Sequence, residues 1–148
     1  MPPAAHVSQS TPFRWSGIDE LVYKDGGTTF RDVTRRVLFG EEHGNGVEVR
    51  YFEIAAGGHT TLERHGHTHS VMPLTGAGRC LVGETVYRLA LHDLVYVPEW
   101  TWHQFRADED APLGILCVVR VDRDRPTLPT QSDLAALRRS PAAEFIRV

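Results

Sequence analysis

Residues 57–78 read GGHTTLERHGHTHSVMPLTGAG, and within seven positions they place four side chains able to bind a metal: Glu63, His65, His67 and His69. All four share one parity. In an extended strand, side chains two apart point to the same face. The spacing therefore predicts a strand that aims one carboxylate and up to three imidazoles at a common point. A histidine-rich tract can also be solvated surface that binds metal adventitiously. Against that stands the apolar flank Val71, Met72 and Leu74 before Gly76, which reads as a strand running into a core.

On the N-terminal side, Arg31 to Phe39 and Val47 to Ile54 read as strands joined by the turn EEHGNG at 41–46, where two glycines and an asparagine tolerate positive φ. Gly57-Gly58 is expected to break the second strand before the histidine-rich one begins. On the C-terminal side, Arg79–Val82 and Thr85–Leu89 flank Gly83-Glu84, a two-residue hairpin turn. A short apolar run from Leu94 to Val97 ends at Pro98. His103–Ala107 and Leu113–Val121 follow, separated by the acidic loop ADEDAP. Seven or eight short strands with turn signals between them argue for an all-β sandwich or barrel. Only the end departs: Thr130-Gln131-Ser132-Asp133 resembles a capping box, and Leu134 and Leu137 mark a short amphipathic helix stopped before Pro141.

At 148 residues the chain is most simply one domain, large enough to bury a core without disulfides. The expected organisation is a disordered tail over 1–12, a β-barrel over 13–128, and a helix with its tail over 129–148 packing on the barrel. Phe13, Trp15, Leu21 and Tyr23 are candidates for an outer face of the core. A net charge of −3 with interspersed signs lacks the basic stripe of a nucleic-acid binder. No apolar run approaches the roughly 20 residues that span a bilayer. The N-terminus has neither the charged start nor the apolar stretch of a secretory signal, so a cytoplasmic protein is expected. Cys80 and Cys117 are too few for a disulfide scaffold and lack zinc-type spacing; both are expected to be reduced.

Two segments together carry a family resemblance. Glu63-Arg64-His65, three residues, His69, six residues and Gly76 resemble the first motif of the cupins. His92-Asp93-Leu94-Val95-Tyr96-Val97-Pro98-Glu99-Trp100-Thr101-Trp102-His103 echoes the second. The chain is thus similar, over roughly residues 45–121, to a small single-domain cupin of the conserved-barrel type. Glu63 stands where the first motif usually has histidine, and His69 where it usually has glutamate, so the ligand set is permuted. His92 and Trp100 replace glycines of the second motif. The resemblance implies a double-stranded β-helix, or jelly-roll barrel, with one divalent transition metal inside and a homodimeric assembly. Carried over by position, the ligands are Glu63, His65, His69 and His103, with His67 as a rival at the pocket rim.

Three imidazoles and a carboxylate suit Mn, Fe, Co, Ni, Cu or Zn and leave coordination positions open for a small-molecule substrate. Trp100 and Trp102, beside His103, are candidate pocket walls together with His67, although packing alone explains tryptophans in a β turn. Tyr96, Gln104 and Cys117 are the candidate catalytic or orienting groups; a buried apolar role is the default for the thiol. Three function classes are compatible: a metal-dependent dioxygenase, a Lewis-acid isomerase, lyase or epimerase, and a binding or sensor module without turnover. With four ligand candidates retained and no separate acid–base pair beside them, the expectation is an oxygenase.

Overall fold

The computed structural model describes residues 2–24 and 27–148 of the chain. Among these residues, eleven strands and one α-helix follow in order: β1 (Gln9–Thr11), β2 (Arg14–Trp15), β3 (Leu21–Val22), β4 (Arg31–Phe39), β5 (Val47–His59), β6 (His69–Gly76), β7 (Gly78–Val82), β8 (Thr85–Leu89), β9 (Val95–Val97), β10 (His103–Ala107), β11 (Leu113–Arg120) and α1 (Gln131–Arg138), with a 3-10 turn at Glu41–His43 between β4 and β5. The strand pairings among the described residues are all antiparallel. One curled sheet runs β8-β7-β10-β5-β11-β6-β9, with β4 on the far edge of β5 and β3 on β4. This is the expected all-β barrel with a short C-terminal helix.

The long strand β5 organises the sheet. Its first half pairs with β11, Ile54 opposite Leu113 through Val47 opposite Arg120, and with β4 on its other edge. Its last residue, His59, meets Arg106 of β10. Gly57-Gly58 does not end the strand as its composition suggests. Gly57 takes φ +77° and the β4 register slips between Arg31 and Val33, so the pair bulges and bends β5 from one set of partners to the next. Gly76, the last glycine of the first motif, is needed for space as well as conformation: it has φ +81°, and a Cβ there would lie 1.8 Å from the Pro112 carbonyl oxygen.

The interior divides into two apolar clusters. Inside the barrel, Phe52, Ile54, Val71, Phe105, Leu113 and Ile115 pack with both cysteines. Outside it, Leu62 and Leu81 meet Leu134 and Leu137 of α1 and then Ala142, Phe145 and Ile146. Thr130 caps α1, accepting from the Asp133 backbone N–H while the Asp133 carboxylate accepts from the Thr130 N–H. The segment read as a tail carries a small hairpin, β1 with β2, and the turn between them stacks Phe13 on Tyr51 at 5.3 Å, with Trp15 edge-on to the same ring. No helix among the described residues is long and apolar enough to cross a membrane.

Candidate metal centre

Residues 57–78 do not form one strand. β6 begins only at His69, and residues 65–68 turn through a bend at Gly66-His67. Glu63 and Arg64 form isolated bridges, to His103 and Thr127. The side chains therefore converge through a bend and not through the shared face of an extended strand. The bend folds His67 back so that its ring lies parallel to His65, with centroids 3.6 Å apart, closer than an extended chain brings residues two apart.

Three imidazoles come together: His65, His69 and His103 each offer a ring nitrogen, all within 4.8 Å of one another. The outer nitrogens of two of them are pinned. His65 Nδ1–H donates to the His67 carbonyl at 2.7 Å and His103 Nδ1–H to the Thr101 carbonyl at 2.9 Å. That fixes each Nε2 as an unprotonated acceptor. Both Nε2 atoms are buried without a hydrogen-bond partner among the described residues, and an orphaned pair of lone pairs on converging rings is what a divalent ion satisfies. Burial, and then the neighbouring imidazoles, lower the His65 pKa to about 4. Burial likewise lowers those of His69 and His103. The donor set suits a first-row transition ion.

The other two candidates of the first motif lie in the same cavity, of about 260 Å³. His67 is buried rather than at a rim. Its Nδ1–H donates to Asp124 at 2.9 Å, and its Nε2 lies 3.3 Å from His69 Nε2. Asp124 also accepts from the Gly66 and His67 backbone N–H groups, and those bonds, the Gly66 one first, hold its carboxyl down at about 2. Glu63 stands outside the group of three histidines, and its carboxylate is paired with the Lys24 ammonium.

Cys117 joins the site. From β11 its Sγ lies 3.4 Å from His69 Nδ1 and 3.5 Å from an Arg50 Nη2. Burial raises its pKa, and the Arg50 guanidinium opposes that rise. The remaining candidates lie elsewhere, and strand parity explains why. On β10, His103 and Phe105 face the cavity, which sends Trp102 and Gln104 to the opposite side. Trp102 packs on the outer cluster beneath the Arg64 guanidinium. Gln104 is fully buried and ties Thr60 to Arg147. Trp100 is 55% exposed; its ring and that of Trp102 border a separate depression beside α1. Only its backbone serves the site, donating to the His65 carbonyl at 2.7 Å. Tyr96 shares a face with Leu94, as its parity indicates, but that face is the exposed one.

Sequence reasoning missed Asp124, Lys24, Arg50, Arg35 and Arg123, which all serve or line this cavity. Asp124 is 57 positions from its histidine, and nothing in the local spacing of either residue links them.

A cupin domain model matches residues 50–119. A 1-methylthio-D-xylulose 5-phosphate methylsulfurylase from Rhodospirillum rubrum is 55% identical over 129 residues, 85% of this chain and 81% of that protein. Among solved structures, a cupin 2 conserved barrel domain protein from Rhodopseudomonas palustris is 49% identical with a TM-score of 0.91, covering 97% of this chain and 100% of that one. A cupin 2 domain-containing protein from Halorhodospira halophila is 38% identical with a TM-score of 0.75, over 99% and 98% of the two chains.

Proposed function

The chain belongs to the cupin family, and from that premise we propose that it is a metal-dependent enzyme that removes the methylthio group from a phosphorylated methylthio-ketose. The observation that carries this reading is the 55% identity to the methylsulfurylase across 85% of the chain, joined to a thiol placed inside the metal cavity. Dioxygen chemistry, expected from the ligand cluster alone, has no observation beyond that cluster in its favour.

His65, His69 and His103 would hold the ion, which when bound would supply Lewis-acid polarisation of the substrate carbonyl. The chain's own residues do the rest. His67 O, Thr101 O and Asp124 hold the imidazoles in one tautomer and orientation. Cys117 is placed to receive the methylthio group. Its sulfur bonds to the thioether sulfur as the bond from that sulfur to the first sugar carbon breaks, and that carbon takes up the proton the thiol gives away. The products are a methyl ketone and a methyl disulfide on Cys117, so the carbon is reduced and the thiol oxidised. A small-molecule thiol then exchanges with the disulfide, restoring Cys117 and leaving as the mixed methyl disulfide.

The test is to incubate metal-loaded protein with 1-methylthio-D-xylulose 5-phosphate. Without added thiol, intact-mass analysis is expected to show one methylthio group in place of a hydrogen on Cys117, with an equal amount of methyl ketone. With thiol, turnover continues. Oxygen uptake without methyl ketone formation rejects the reading in favour of oxygenase chemistry. Release of free methanethiol by a Cys117→Ala variant at the native rate rejects the role of the thiol. The fourth ligand position is open to His67, whose Nε2 already neighbours His69, and to Glu63 if it leaves Lys24. Metal content of His67→Ala and Glu63→Gln proteins decides between them.

A further inference from the structure

The cavity has a sign opposite to that of the chain. The protein carries a net charge of −3, yet the cavity wall holds Lys24, Arg35, Arg50 and Arg123 against a single carboxylate, Glu63. Lys24 is spent on Glu63. Glu48, behind the wall, lies 3.6 Å from Arg50 Nε and 3.2 Å from Arg123 Nη2 and so answers about one of the three remaining charges. Asp124 is engaged by His67 and the Gly66 N–H.

The guanidinium groups are also short of acceptors. Arg50 lies on β5 with the parity of Phe52 and Ile54, so its side chain enters the barrel and stacks on the Phe52 ring at 4.8 Å. It is 13% exposed. Among the described residues its hydrogen bonding amounts to one long contact, with the Cys117 sulfur, and its Nε has no hydrogen-bond partner. Arg35 sits opposite Phe52 on β4. Its Nε donates to the Val22 carbonyl, which leaves both terminal nitrogens without a protein acceptor among the described residues. Arg123 donates to the Arg120 carbonyl and to Glu48. Burying the Arg50 guanidinium costs desolvation that Glu48 offsets in part and a bound anion would offset further, and the planar forks of the three arginines match the oxygens of a phosphate.

We infer that Arg35, Arg50 and Arg123 form an anion subsite that takes the phosphate of a phosphorylated sugar, in the same cavity as Cys117 and the histidine cluster. The Cys117 sulfur is within reach of both Arg50 Nη2, at 3.5 Å, and His69 Nδ1, at 3.4 Å. A ligand bound at both places therefore lies along the thiol, its phosphate at the arginines and its reacting end at the histidines. The subsite deepens the function proposed above and rests on it only for the identity of the ester.

Calorimetric binding of D-xylulose 5-phosphate, D-xylulose and inorganic phosphate to the metal-loaded protein tests it without turnover. The native protein is expected to prefer the phosphorylated sugar by roughly a hundredfold, with inorganic phosphate competing against it. Arg35→Gln and Arg123→Gln should each cut that preference by about tenfold while leaving D-xylulose affinity in place. Arg50→Lys, which keeps a charge but loses the fork, should cut it by less than Arg50→Met. Because the preference is a ratio measured on one preparation, partly unfolded protein does not mimic the effect. Equal affinity for both sugars in the native protein, or an undiminished preference in the Arg35→Gln/Arg123→Gln double variant, overturns the subsite. Methylthio transfer that persists alongside either result leaves the proposed function standing and the subsite refuted. Loss of methylthio transfer with the phosphate preference intact does the reverse.

Discussion

Cys80 and Cys117 are both free, buried and part of the same apolar cluster inside the barrel, yet they belong to different halves of it. Cys80 on β7 lies between Phe105 and Tyr87 on the neighbouring strands, and burial pushes its thiol up to about 12. Cys117 on β11 lies between Arg50 and Val71, with an imidazole and a guanidinium at its sulfur. Equal burial therefore does not make equal chemistry. One half of the barrel interior is dry packing; the other is a polar cavity built on the same strands, and the side chains that cross from neighbouring strands make the difference.

The largest expected effect breaks the polar half outright. His103→Ala removes one of three convergent nitrogens, so elemental analysis should find metal near zero per chain where the native protein holds about one, and turnover should vanish with it. Next, the cysteines can be set against each other. Cys117→Ala should lower turnover by on the order of a thousandfold or more in the assay above, as loss of a nucleophile does. Cys80→Ala should keep native turnover, losing only about 1–2 kcal/mol of stability in urea unfolding. Similar turnover losses for both would erase the distinction between the two halves.

Smaller effects sharpen it. Leu137→Ala hollows the outer cluster between α1 and the barrel and should cost about 2–5 kcal/mol in denaturant unfolding, with metal content per folded chain unchanged. Asp124→Ala releases the His67 ring and the Gly66-His67 bend, and titration with the metal should show affinity weakened by roughly 10- to 100-fold. Smallest is Thr130→Ala, which removes the α1 cap far from the cavity; a loss of about 1 kcal/mol with native turnover is expected.

Much of this architecture was legible before any coordinates. Arg31–Phe39, Thr85–Leu89 and His103–Ala107 form strands with the ends their patterns indicate, because apolar alternation and flanking turn residues act locally. α1 starts at its capping box for the same reason. The histidines were legible as a group but not as a geometry: a bend at Gly66-His67, secured by Asp124 from 57 positions away, replaced the extended strand that their spacing suggests. Trp100 and Trp102 looked like cavity walls because they flank His103 in the chain. On a strand, flanking residues face away from their neighbour, and that parity removed Trp102 from the cavity.

By itself, then, the sequence determined a β-barrel, a metal-type cluster within it and a capped terminal helix, since periodicity, turn chemistry and ligand spacing are written over a few residues each. Only the tertiary structure decided that three imidazoles converge while Glu63 pairs with Lys24, that one of two like cysteines enters the cavity, and that arginines from β4, β5 and the segment after β11 surround it. Those facts depend on which strands lie side by side and in what register. Pairings between residues dozens of positions apart leave no mark in the local pattern of either one.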